Sequence, residues 1–161
     1  MSALSTMGLW AVVIGCALMA GLYFAFSTFI MASLEAIPNS GGIAAMQSIN
    51  RVILKSAFMP LFFGTSLASL ALGVWGVVRW GDSGSHFLVS GGLVYVVGML
   101  GVTAAFNVPL NDALDAVDAS SRASLEVWSR YLRDWTRWNH VRTLSSLAAS
   151  ALFIAAARAL S

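Results

Sequence analysis

Charge is scarce in this sequence. Asp, Glu, Lys and Arg make up 10% of its 161 residues, against about 25% in a soluble domain. That shortage excludes an ordinary water-facing surface. No Lys/Arg tract is present and the net charge is only +2, so nucleic acid is excluded as a partner. The one cysteine, Cys16, lies in an apolar run and has no second thiol for an internal disulfide. It reads as a small packing residue. The two histidines, His86 and His140, fall at opposite ends of apolar runs, which excludes a bis-His haem. CxxC, HExxH and Glu-x-x-His patterns are missing, so no metal site is expected. No Gly-rich loop follows a strand, so no nucleotide is expected. The expected cofactor is none. Acids are missing from the apolar runs as well, which argues against a proton-coupled transporter.

What the sequence has is length of hydrocarbon. It is 58% hydrophobic, with a mean hydropathy of +0.80. Four apolar runs stand out: Met7 to Leu34, Ala57 to Val78, His86 to Phe106 and Thr143 to Leu160. Crossing about 30 Å of hydrocarbon takes roughly 17–25 helical residues, and each run suffices. The first is longer than a signal-peptide core and no Lys or Arg precedes it, so it reads as a retained span. In lipid only helices and closed barrels satisfy their own backbone, and uninterrupted runs are not barrel alternation. The expected fold is all-α: one domain over residues 1–161, a four-helix transmembrane bundle. An even number of spans puts both termini on one side. Seven of the nine Lys and Arg then lie on the other side, leaving Arg79 and Arg158 with the termini. The positive-inside rule places the charged side in the cytoplasm. The expectation is a multi-pass protein of a bacterial-type inner membrane, with both termini extracytoplasmic.

The second and fourth helices are expected to extend beyond the bilayer on the charged side. After Pro109 the chain has neither Gly nor Pro, so one helix from about Ser121 to the end is expected, amphipathic first and apolar afterwards. At about 100° per residue, Trp128, Tyr131, Leu132, Trp135, Trp138, Asn139 and Arg142 share a face that Ser146 and Phe153 continue. Arg122, Glu126, Arg130, Arg133, Arg137 and His140 fall opposite. The second helix is expected to start near Ile43 and to bend at Pro60. The two extensions would form an aromatic cap.

"FNVPLND" places Asn107 and Asn111 around Pro109. Val108, before proline, is expected to leave helical geometry, with Asn107 at the break. Asn50, Asn107, Asn111, Asn139 and Arg142 therefore meet at one membrane boundary, from three helices. A polar group without a partner in hydrocarbon costs several kcal/mol. The cluster is expected to line a chamber, with Tyr95, Thr103, Tyr23 and Ser27 below it. Structural readings stand beside this one. Trp128 and Trp135 suit interfacial anchors, Asn107 suits a helix cap, and Arg142 can snorkel to headgroups. His140 and Arg130, Arg133 and Arg137 suit a solvated or headgroup-facing side.

The segments "MQSINRVILKSAFMPLFF", "FNVPLNDAL" and "YLRDWTRWNHVRTLSSLAA" resemble the anthrone oxygenase-like membrane protein family. The resemblance covers most of the chain. It implies oxidation of anthrones to anthraquinones with dioxygen and no known cofactor, a reaction in which fungal members are implicated. Such a site needs a base, donors for an enolate and aromatic walls. The resemblance then implies His140, Arg142 and Asn139 as catalytic candidates, with His140 as base. Asn50, Asn107, Asn111, Trp135, Trp138 and Tyr95 become substrate-binding candidates. The wheel sets His140 away from Asn139 and Arg142.

Two further readings stay open: a non-catalytic membrane protein that binds a lipid or quinone-like ligand or assists a partner, and a small-solute transporter. The expected partners are an apolar small-molecule substrate or lipid, and the membrane. Gly8, Gly15 and Gly21 on the first helix would suit close packing in a homo-oligomer.

Overall fold

The computed structural model describes residues 3–160. Among these residues it is helical and contains no strand. Helix α1 runs Ala3–Ala25 and continues through a wide π turn, Phe26–Ile30, into Met31–Glu35. Helix α2 is Asn39–Ile53, α3 is Phe58–Val78, α4 is Ser85–Asp115 and α5 is Ser124–Ala159. Helices α1, α3, α4 and α5 are each long and apolar enough to cross a membrane, as the four runs predict. This is an integral membrane protein.

Two apolar clusters hold the bundle. The membrane cluster packs α1, α3, α4 and α5 around Cys16, Met19, Tyr95, Met99 and Phe153. The cap cluster packs α2, the end of α4 and the first half of α5 around Ile43, Met46, Leu114, Trp128, Tyr131 and Trp135. Trp128, Tyr131 and Trp135 stack in sequence along α5, with centroids 5.8 and 5.7 Å apart. Gln47 Nε2 donates to the carbonyls of Leu114 and Val117 at 2.8 and 2.9 Å. These carbonyls lie at and just beyond the end of α4, where helices run out of internal donors. In the turn that follows, the Ser120 N–H and hydroxyl donate to Asp118 Oδ1 at 2.9 and 2.7 Å. Those bonds hold the exposed carboxyl below its ordinary pKa.

Pro109 and Pro60 act differently from expectation. Val108 is helical (φ −62°, ψ −50°), and α4 continues through it to Asp115 without a break. Two π segments, Val96–Gly101 and Thr103–Asn107, precede Pro109. Their wider turns relieve the clash between the proline ring and the carbonyl four residues back. Pro60 does not bend a continuous second helix. The cap portion is a separate helix, α2, and Leu54–Ala57 form a turn before α3 begins at Phe58. Ser56 stabilises that turn, donating to the Ile53 carbonyl at 2.8 Å and accepting from the Phe58 N–H at 3.2 Å. Pro60 sits in the first turn of α3, where its missing N–H costs nothing. The long helix α5 passes from cap to membrane unbroken, starting three residues later than expected.

Helices α3 and α4 touch at one end only. A Cβ on Gly92 would lie 2.8 Å from Gly73 Cα and from the Ser69 carbonyl oxygen, and one on Gly76 2.8 Å from the Ser85 carbonyl oxygen. Here backbone meets backbone. Toward the cap the two helices diverge, leaving a gap between Phe58–Phe63 and Ala104–Val108. Gly15 also packs inside the bundle, against Thr65. Gly8 and Gly21 meet nothing, so the three glycines do not form one outward face.

Candidate functional site

The gap between α3 and α4 is a cavity of about 270 Å³, near the lower end of small-molecule pockets, about 300–1,000 Å³. It lies where the membrane and cap clusters meet. Phe26, Phe58, Phe62, Leu22 and Leu100 give it apolar walls, and Met46, Ile49 and Ile53 of α2 roof it. Leu54, Phe63, Ala104 and Val108 line it and are also exposed on the outside of the bundle. The opening therefore faces sideways, toward lipid.

One cation enters this cavity. Arg142 is 5% exposed, and among the described residues no carboxylate lies within ion-pair distance of it. Its guanidinium carbon sits 4.3 Å from the Tyr23 ring centroid and 5.0 Å from that of Trp135. Such faces hold a desolvated cation. Nη2 donates to Asn139 Oδ1 at 2.7 Å, Nη1 reaches Thr103 Oγ1 at 3.5 Å, and Nε has no partner. Asn139 is fully buried behind it. Its Nδ2 donates to the Tyr23 carbonyl and to Ser27 Oγ, both at 2.7 Å. That amide is committed on both ends, so it fixes where the guanidinium points.

The cap side of the cavity carries a second polar group. Asn111 Oδ1 accepts from Tyr131 OH at 2.8 Å and from Trp135 Nε1 at 2.9 Å. Asn111 also lines the cavity. Asn50 Nδ2 approaches Tyr131 OH at 3.4 Å. Tyr131→Phe removes the hydroxyl that joins these two amides. It is expected to lower unfolding free energy by about 1 kcal/mol, read as a lower thermal midpoint in detergent.

The structure brings Arg142, Asn50, Asn111 and Trp135 to the cavity wall, together with Tyr23 and Thr103. It places the other predicted residues elsewhere. His140 is exposed on the far side of α5 and does not reach the cavity. It lies only two residues from Arg142, and that spacing turns it to the opposite face. Trp138 stacks on Phe106 outside, with centroids 3.7 Å apart and planes 7° off parallel. Tyr95 is buried deeper in the membrane cluster, its hydroxyl without a partner. Asn107 is neither a cap nor a wall: its side chain makes no capping bond, and Nδ2 donates to the Trp135 carbonyl at 3.2 Å. Phe58 and Phe62 are walls that the sequence did not mark, because an apolar residue facing a cavity looks like one facing lipid. Among the described residues no three His, Cys, Asp or Glu are grouped to hold a metal.

A family model described as anthrone oxygenase matches residues 46–152. The chain belongs to the anthrone oxygenase family. No curated protein and no solved structure matches it. The stretch matched by the anthrone oxygenase model runs from the roof helix α2 through the apolar half of α5. It contains Asn50, Thr103, Asn111, Trp135 and Arg142, and of the polar wall only Tyr23 lies outside it.

Proposed function

We propose that the chain is a cofactor-independent membrane oxygenase. Its substrate is a flat, apolar ring ketone with an activated ring methylene, taken from the bilayer through the opening between α3 and α4. The observation that carries this reading is the buried, acid-free guanidinium of Arg142 facing a largely apolar cavity. A cation without a counter-ion in a dry site favours an anionic oxygen, and the enolate of a ring ketone supplies one. The guanidinium holds the enolate oxygen while Trp135 and Phe62 enclose the rings. Loss of the methylene proton leaves a carbanion equivalent that adds dioxygen at carbon to form a hydroperoxide. Loss of water from it leaves a carbonyl. Ring methylene plus dioxygen thus gives ring carbonyl plus water. The cavity wall offers hydroxyls, amides and the guanidinium but neither imidazole nor carboxylate. The proton therefore leaves to water or hydroxide, and the guanidinium assists by lowering the pKa of the bound ring ketone's methylene.

The same lack of a strong base favours a second reading, a binder of a quinone-like or acidic amphiphile that leaves the ligand unchanged. Oxygen uptake separates the two. Purified protein in lipid nanodiscs, given an anthrone with and without chelator, should consume one dioxygen per quinone formed in both arms. Tight binding without uptake above the protein-free rate supports the binder instead. The proposed orientation puts the cap in the cytoplasm, since that side carries six of the nine Lys and Arg, not counting the buried Arg142.

A further inference from the structure

A carboxylate is the usual partner of a buried guanidinium, because it offsets part of the cost of burial. Arg142 has an amide instead. Asn139, three residues back on the same face of α5, sets its Oδ1 2.7 Å from Nη2. The hydroxyls around it fix which way this amide lies. Thr143 gives its one hydroxyl hydrogen to the Asn139 backbone carbonyl, at 2.9 Å. Ser27 Oγ lies 3.2 Å from Thr143 Oγ1, so the hydrogen between those two oxygens is Ser27's. On its other side Ser27 can then only accept. The Tyr23 carbonyl can only accept as well. Two acceptors therefore face position 139, and Nδ2 meets them with its two hydrogens, both at 2.7 Å. A flipped amide would set its oxygen against both acceptors and its NH2 against the guanidinium. An ionised carboxylate would face the Tyr23 carbonyl with no hydrogen between them.

The amide orients the guanidinium and adds no negative charge. Arg142 Nε is buried and has no partner, and among the described residues no carboxylate is within ion-pair distance. The full positive charge is left for whatever enters the cavity. We infer that Asn139 is a positioning residue that sets how strongly the cavity favours the anion of its ligand. It aims Arg142 without neutralising it, and Ser27, Thr143 and Tyr23 hold it in that orientation. The ligand class so selected is a weak carbon or oxygen acid, neutral in the bilayer and anionic at the guanidinium: an enolisable ring ketone or a phenol. This role rests on the proposed reading of Arg142 and adds the group that keeps its charge available.

The probe is 2-naphthol, a flat weak acid whose neutral and anionic forms absorb differently. Its apparent pKa is titrated in nanodiscs holding the full chain, with empty nanodiscs as reference. An opposite charge within about 4–6 Å lowers an acid's pKa by about 1–3 units. The native chain should therefore raise dissociation of the bound probe at least tenfold. Asn139→Asp puts a carboxylate against Nη2 and should abolish that effect while the neutral probe still binds. Asn139→Leu keeps the bulk and leaves Arg142 charged but unaimed, and should lose most of the tenfold effect. The two variants are independent, so one that fails to fold leaves the other to decide. An effect of native size in either folded variant overturns the role of Asn139 and leaves the reading of Arg142 standing. No effect in the native chain overturns both.

Discussion

Replacing Arg142 with Met is expected to cut turnover at least 10²-fold while leaving the protein as stable as before, or more so. Removing one donor to an oxyanion costs about 10²–10³ in kcat in other enzymes, and here the donor also carries the charge. The stability arm follows from burial. A guanidinium in a span costs about 2.5–3.5 kcal/mol or more, and among the described residues no carboxylate offsets it. Methionine keeps the stem's bulk and removes the charge. It forfeits the contacts with Tyr23, Trp135 and Asn139, so the gain is partial. A residue retained for packing would show the opposite pattern, with stability falling and activity following it. Thermal unfolding and oxygen uptake on the same preparation check both arms.

Gly92→Ala is expected to have the largest effect on folding. The new methyl would sit 2.8 Å from Gly73 Cα and from the Ser69 carbonyl oxygen. Both neighbours are backbone, so no side chain can swing aside. Helices α3 and α4 must part at their tight end, and overpacking of this kind costs about 1–3 kcal/mol or more. The cavity depends on that junction, because it exists where the same helices diverge. A clear fall in thermal midpoint and loss of ligand binding are expected. Gly64→Ala is the control: a Cβ there meets nothing within 4 Å and alanine is the better helix former, so its midpoint should equal or exceed that of the native chain.

Much of the architecture was legible because lipid imposes simple rules. Apolar length gave the four spans, and the absence of Gly and Pro after Pro109 gave the unbroken α5. The helical wheel placed Trp128, Tyr131, Trp135, Asn139 and Arg142 on one face, and all five are buried. It also separated His140 from them. Three features were not legible. A proline signals a missing donor, but whether the chain breaks or widens into π turns depends on what packs around it, so the break expected at Val108 is absent. Pro60 marked a disturbance in the second helix without showing that Ser56 turns the chain just before it. The glycines of α3 and α4 gave no sign of which ones meet, and that pairing decides where the helices open. Trp138 was expected in the cavity wall, yet its ring stacks on Phe106 instead. The resemblance carried the family correctly and carried His140 into a role its position does not favour.

The account rests on Arg142 stabilising an anionic ring oxygen in a dry cavity that opens to lipid. The most direct measurement is the absorption spectrum of an anthrone bound to the protein in nanodiscs at neutral pH without oxygen, so that turnover cannot proceed. The account predicts the enolate band with the native chain and its loss with Arg142→Met. A bound anthrone that keeps its keto spectrum, or gives the same band with both proteins, would contradict it.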